Sequence, residues 1–268
     1  HYMGLLVQED RDFIWKYNSA SRLNAECMKA LDYQYNKGLP RPPSREMDRG
    51  IVAEEMAVAK FYGKDFAEVG EQKLQQLIAE RPERSEHLEW YKEQWPRWIA
   101  GVETYDTGYT LWPVDPVQRK VALSIDGTTP DLVGYIDLLI DQGGKPVIAD
   151  IKSKGQLSWG VPQTWRRQLT IYCLAIKADM KLDFIPKAQI HMISVGKTAG
   201  SRIIEVDITA DDVSDLLDRT AVMQFSIDND YWPRNTNSDK CSDRWCAFYG
   251  RCWSDHLIPL DRSLAQFS

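Results

Sequence analysis

Along the first hundred residues, apolar positions return every three or four residues, the period of helices with one buried face. The spacing predicts a helix over residues 19–37, opened by a serine and followed by Gly38, with Leu23, Cys27 and Leu31 on one face. Pro-rich residues 40–43 break the chain, and Ser44 opens a second helix through about Tyr62. Its apolar stripe is Met47, Ile51, Val58 and Phe61, and Glu54 occupies the one place in that stripe left empty. A carboxylate on a buried helix face needs a partner, either a buried cation or a metal ion. Glu55, about 100° round the helix, can be solvated surface. Residues 65–80 and 84–100 also read as helices, with Trp90, Trp95 and Trp98 near the second end and no chemistry in view.

Beyond residue 104 the period shortens to two. Residues 104–126 suggest strands, broken at Pro113 and Pro116 and turned at Asp126-Gly127. Two apolar runs follow, residues 131–140 and 146–152, joined through Gly143-Gly144, a two-residue hairpin signal. With those glycines as the loop, Gln142 opposes Lys145 and Asp137 opposes Asp150. Opposed side chains have Cβ atoms roughly 5 Å apart, where like charges destabilise the pair. Lys152 shares a face with Asp150, and Ile151 takes the other. A lone Asp-X-Lys suits a solvated surface ribbon equally well. These runs are apolar on both faces, as in a buried sheet. Two ionised carboxylates there require a cation or a shifted pKa, which favours a metal site of the Mg²⁺ or Mn²⁺ type.

Residues 163–178 read as a helix carrying Arg166, Arg167, Gln168 and Tyr172, the last two on one face. Gln168 and Tyr172 suit a nucleic-acid backbone or a neighbouring ligand, or are two polar positions of an amphipathic helix. Lys154, Arg166 and Arg167 put positive charge near the aspartates in sequence. Residues 187–196 and 201–208 read as strands, and Thr209 with Asp212 caps a helix to about Asp228.

The 268 residues suffice for one large domain with elaborations, and the hydrophobic content of 43% is ordinary. No apolar run is long enough to span a bilayer, and no secretory pattern opens the chain, so a cytoplasmic protein without membrane attachment is expected. His1 and Tyr2 ahead of Met3 are read as an expression remnant. A net charge of −6 argues against broad non-specific nucleic-acid binding but leaves room for a local basic groove. Cys241, Cys246 and Cys252 lie within twelve residues, which suggests metal binding rather than disulfides. With His256 they form a Cys₃His zinc pattern; with Cys27 they supply four thiolates for an iron–sulfur cluster. Spacing leaves both open. Cys173, on the helix with Gln168, reads as a core residue.

Gly50-Ile-Val-Ala-Glu54, Gly134-Tyr-Ile-Asp137, Asp150-Ile-Lys152 and Gln168-Leu-Thr-Ile-Tyr172 together resemble the ordered motifs of RecB-like nucleases in the PD-(D/E)XK superfamily. Cys27, in a Ser-x-x-Leu context, and a late triplet ending Cys-x₅-Cys resemble the iron–sulfur staple of AddB-type and CRISPR-associated members. The chain departs at Glu54, where many relatives have His, and in the longer gap between Cys241 and Cys246.

The resemblance implies an α/β fold, a mixed central sheet flanked by helices. It would form a single domain over 1–268: a mainly helical part (19–103), the core (104–230) and a Cys-rich tail (231–268). It implies a DNA exonuclease in recombination or repair. Glu54, Asp137, Asp150 and the Ile151 carbonyl would hold Mg²⁺ or Mn²⁺, and Lys152 would act on water or transition state. Gln168, Tyr172, Arg166 and Arg167 would position DNA, and Cys27, Cys241, Cys246 and Cys252 would hold a 4Fe–4S cluster. A recombination or single-strand-binding protein is an expected partner, and a viral or mobile-element source fits a stand-alone nuclease of this size. The competing expectations are a catalytically inactive DNA-binding adaptor on the same fold, or a nuclease whose tail is a Cys₃His zinc module.

Overall fold

In a computed structural model, residues 19–25, 27–125, 132–238 and 240–255 are described. The helices are α1 (Ala20–Leu23), α2 (Met28–Leu31), α3 (Arg45–Phe61), α4 (Phe66–Glu80), α5 (Leu88–Glu103), α6 (Gln163–Asp179), α7 (Ala210–Asp228) and α8 (Tyr249–Ser254). The strands are β1 (Val117–Leu123), β2 (Leu132–Asp141), β3 (Pro146–Lys154), β4 (Lys187–Val195) and β5 (Ala199–Val206). The described residues divide into two units, a larger one of residues 19–21 with Pro43–Arg219 and a smaller one that takes in Arg22–Pro42 and the described chain from Thr220 to Asp255.

In the larger unit the five strands lie in sequence order as one mixed sheet flanked by helices. Neighbours are antiparallel except β3 and β4, which are parallel and joined through α6. A parallel pair requires such a crossover, whereas a two-residue turn suffices for β2–β3. Gly143 and Gly144 both have positive φ (65° and 81°), the type I′ geometry whose twist matches the strands. Gln142 N–H donates to the Lys145 carbonyl, and Leu138 pairs with Ala149. That register carries Asp137 to the place opposite Asp150.

Helices α3, α4 and α5 bury Val52, Met56, Leu77, Tyr91, Trp98 and Val102 against Leu138, Ala149, Ile151 and Ile193 of the sheet. Ser44 caps α3, its hydroxyl accepting from Met47 N–H at 3.2 Å. The buried face of α3 is Asp48, Val52, Met56 and Ala59, one residue round from the expected stripe. Met47 is 44% exposed, and Ile51, Val58 and Phe61 flank the core rather than centre it. The rotation follows from Asp48, whose carboxylate is buried against Arg84 Nε (3.0 Å) and Tyr91 Oη (2.7 Å). Arg84 also donates to the Leu77 carbonyl, so both charges are hydrogen-bonded. The Thr209–Asp212 capping box forms, with Thr209 N–H donating to Asp212 Oδ2 and Asp212 N–H to Thr209 Oγ1.

Two expectations are corrected. Residues 104–126 hold one strand, β1, plus a single bridge from Leu111 to Ile140; Asp126-Gly127 lie outside the described residues. The helix over 19–37 is not continuous. It stops at Leu23, passes a turn at Asn24 and resumes at Met28, with Cys27 extended between (φ −128°, ψ 114°). Asn competes with the backbone for helical hydrogen bonds, which favours a stop there. The second piece ends in a π-helical turn, Asp32–Asn36, before Gly38.

In the smaller unit, Tyr33, Phe248 and Cys252 form a buried cluster, with the two rings 5.7 Å apart. Tyr33 Oη donates to Asp255 at 2.9 Å, and Lys29 N–H to the Pro233 carbonyl, which ties residues 27–33 to the tail. None of the five cysteines is in a disulfide.

Replacing Asp48 by Ala leaves Arg84 buried without its counter-ion. We expect a loss of about 3–5 kcal/mol in urea unfolding, with a smaller loss for Asp48→Asn, which retains an acceptor.

Candidate active site

Asp137 sits on β2, and Asp150 and Lys152 on β3, so the hairpin alone delivers two carboxylates and an ammonium. Asp137 Oδ2 accepts the Ile151 N–H at 2.7 Å, which fixes the carboxyl across the hairpin. Asp150 is 1% exposed, and Lys152 Nζ lies 2.6 Å from its Oδ2 as an ion pair. Among the described residues, no other group gives either Asp150 oxygen a hydrogen bond. Glu54 comes from α3, whose Gly50 lies 3.8 Å (as an added Cβ) from Ser153 Oγ, so this helix runs beside the end of β3.

The electrostatics follow from crowding. Burial, then Asp150 and Glu54, push the Asp137 carboxyl well above the usual carboxylate range. Burial, then Asp150, raise Glu54, against the pull of Lys152 and Gln118. Burial opposes the Lys152 ammonium, but Asp150, Asp137 and Glu54 outweigh it and raise its pKa. Three acids around one fixed cation leave excess negative charge in a nearly dry place.

Gln118 was not expected. Its Nε2 donates to Glu54 Oε1 in a short hydrogen bond and reaches Asp137 Oδ1 at 3.4 Å. Val117 pairs with Leu138 and Arg119 with Ile136, so the register puts Gln118 opposite Asp137. Its φ is +49°, a left-handed conformation that costs a non-glycine residue of order 1 kcal/mol or more and is kept where the surroundings enforce it. The available signal was the β1–β2 pairing, which the long intervening segment hides from sequence.

On α6, Gln168 Oε1 accepts from Lys152 at 3.4 Å while its Nε2 donates to Tyr172 Oη at 2.9 Å. The Tyr172 ring packs over Gly134, where a Cβ would lie 2.4 Å from Cε1. Two of the motif elements therefore touch. Arg166 and Arg167 are engaged elsewhere. Arg166 forks onto Asp212 (2.7 and 2.6 Å) and the Asp207 carbonyl, and Arg167 forks onto Asp215. Burial works against Asp212, yet the Arg166 guanidinium dominates and holds its carboxyl far below the usual range. These two arginines join α6 to α7.

Glu54, Asp137 and Asp150 suit a divalent cation by donor type, by the unbonded Oδ1 of Asp150 and by their mutual charge. Among the described residues, no group of three or more His, Cys, Asp or Glu is arranged to hold a metal ion. The Gln118 amide bridges two of the acids instead.

The thiols of the smaller unit form a separate feature. Cys27, Cys241, Cys246 and Cys252 line one cavity of about 250 Å³, with Arg41, Arg234, Trp245 and Phe248. Burial, and then the neighbouring thiols, raise the pKa of Cys246. His256 lies outside the described residues. Cys173 is buried in α6, as its place on that helix predicts.

The model of a family described as the PD-(D/E)XK nuclease superfamily matches residues 18–253. A crystal structure described as "Putative exonuclease" from Eubacterium rectale is similar at a TM-score of 0.55 and 16% identity, over 88% of this chain and 92% of that one; it speaks to the fold alone. A crystal structure of SSO0001 aligns over 97% of this chain and 98% of its own, at 15% identity and a TM-score of 0.37 that carries no weight. No curated protein matches the chain. Among the described residues, no helix is long and apolar enough to cross a membrane.

Raised carboxyl pKa values mean that the folded site keeps protons the unfolded chain has released. Metal-free stability therefore falls as pH rises from the ordinary carboxylate range, about 4, through the raised values. Asp137→Asn removes one of the repelling charges. In chelator at alkaline pH it should raise the melting temperature by roughly 2–4 °C, the equivalent of about 1 kcal/mol, and the gain should shrink at acid pH. Mg²⁺ or Mn²⁺ should stabilise the wild type and not the variant.

Proposed function

The chain belongs to the PD-(D/E)XK nuclease superfamily, and on that premise we propose that it is a Mg²⁺- or Mn²⁺-dependent deoxyribonuclease, an exonuclease of DNA recombination or repair. The observation that carries the reading is Asp150, buried beside Asp137 and Glu54 with Lys152 on its Oδ2 and its Oδ1 without a hydrogen bond among the described residues. Glu54, Asp137, Asp150 and the Ile151 carbonyl would hold the ion. Its chemistry, when bound, is to polarise a phosphoryl oxygen and to lower the pKa of a coordinated water. Lys152, kept protonated by the acids around it, orients that water or stabilises charge gathering on the phosphoryl oxygens. Gln168 and Tyr172 set the strand beside it, already hydrogen-bonded to each other and to Lys152. Arg166 and Arg167 act on DNA only through the ion pairs that hold them. The exonuclease part of the proposal follows the description of the Eubacterium rectale structure, which shares this chain's fold.

A second reading concerns the smaller unit. The shared cavity favours a structural 4Fe–4S cluster on Cys27, Cys241, Cys246 and Cys252, which would bind the two ends of the chain and contribute to folding. The zinc alternative uses Cys241, Cys246, Cys252 and His256.

End-labelled single strands, duplexes and a closed circle, each with Mg²⁺ or Mn²⁺, test the main reading. Asp150→Ala should reduce cleavage to background, and Lys152→Ala should lower it about 10²–10³-fold. Undiminished cleavage by Asp150→Ala overturns the assignment, and binding without turnover in either metal leaves an inactive DNA-binding adaptor. Metal analysis of anaerobically purified protein should find iron and a broad visible band, both lost in Cys241→Ser. Zinc in a colourless protein, lost in His256→Ala, would replace the cluster with the Cys₃His site.

A further inference from the structure

Residues 155–162 connect β3 to α6 and carry Trp159, 79% exposed, the most exposed of the large hydrophobic side chains among the described residues. An indole this open makes no core, yet its loop is firmly held. Arg202 of β5 stacks its guanidinium 3.5 Å from the Trp159 ring centroid and donates to the Ser158 carbonyl at 3.1 Å. Ser158 Oγ meets Met192 Sδ at 3.6 Å. Gly196, after β4, comes so close to Gly155 that an added Cβ would overlap its carbonyl oxygen, and Leu157 packs at 3.4 Å from the place of a Cβ on Gly200. The β4–β5 hairpin thus braces the loop at several points, so the ring is presented with little ordering left to do on binding.

The sheet register locates the ring relative to the carboxylates. Lys152 pairs with Met192, and Met192 pairs with Arg202. Directly paired residues point to the same face, and two strand spacings amount to roughly 10 Å. Arg202, and the indole stacked on it, therefore lie on the face of Lys152 and Asp150, two strands away. A further cation and ring stand between β3 and α6, where Lys154 Nζ lies 4.6 Å from the Trp165 ring centroid. That pair is the next step along both elements from Lys152 and Gln168. Cations and π-faces alternate here on a chain whose net charge is −6.

We propose that Trp159, seated on Arg202, is a stacking platform for an unpaired base of the DNA strand entering the site, with the Arg202 guanidinium beside the adjacent phosphate. Every base offers a π-face, so the platform is indifferent to sequence. A paired base inside a duplex is already stacked on both sides and cannot take the indole, so the platform selects single strands or frayed ends. This rests on the nuclease reading and deepens it by naming the form of the substrate.

The test is binding in chelator, where no hydrolysis occurs, using a fluorescent oligothymidylate and a blunt duplex of equal length. Trp159→Ala should weaken oligothymidylate binding about tenfold and leave duplex binding unchanged, and Trp159→Phe should retain most of it. Because the ring is exposed, circular dichroism and melting temperature should be unaltered. Equal affinity of wild type and Trp159→Ala for the single strand overturns the platform, as does an equal loss for both DNAs. Failure here leaves the Asp150→Ala cleavage result untouched, so the two readings fall separately.

Discussion

The constraint on which the larger unit turns is negative charge confined where water cannot relieve it. Asp137 and Asp150 are brought opposite each other by a two-glycine turn, and Glu54 is added from α3. The surroundings contain the repulsion with three different donors. Ile151 N–H serves Asp137, Lys152 pairs with Asp150, and the Gln118 amide joins Glu54 to Asp137. Each donor constrains an element: the hairpin, the end of β3, and a left-handed residue in β1. The remaining shortfall of positive charge at Asp150 is what a divalent ion would supply.

The same economy of polar groups appears away from the site. Asp48 and Arg84 are buried together and fully bonded, and they set the rotation of α3 that presents Glu54. Lys60 Nζ donates to the carbonyls of Val102, Glu103 and Tyr105, closing the end of α5 with a cation as the helix dipole favours. Arg166 and Arg167 spend their guanidinium groups on Asp212 and Asp215. Basic residues near a catalytic motif in sequence are thus not automatically groups for a substrate phosphate.

The hairpin, its register and the shared face of Asp150 and Lys152 were legible because they depend on the two-residue period and a turn that only a few dipeptides make. The caps at Ser44 and Thr209 were legible for a similar reason, since each is settled within four residues. Glu54 was singled out from a gap in an apolar stripe, although the stripe itself was one residue out of place. A buried aspartate looks polar in a hydrophobicity pattern, so Asp48 shifted the apparent face. The break between Leu23 and Met28 was hidden because Cys27 is at the right spacing for a helix face and the thiol instead lines a cavity.

What the amino-acid order determined unaided was local: turn type, strand register across that turn, capping, and the chemistry of residues two apart on a strand. Tertiary structure alone decided which distant groups met. It opposed Gln118 to Asp137, laid Tyr172 on Gly134, gave Arg166 and Arg167 their acids and stacked Arg202 under Trp159. The physical reason is reach. Backbone geometry correlates residues over a few positions, whereas contacts between remote segments depend on how the whole set of helices and strands packs.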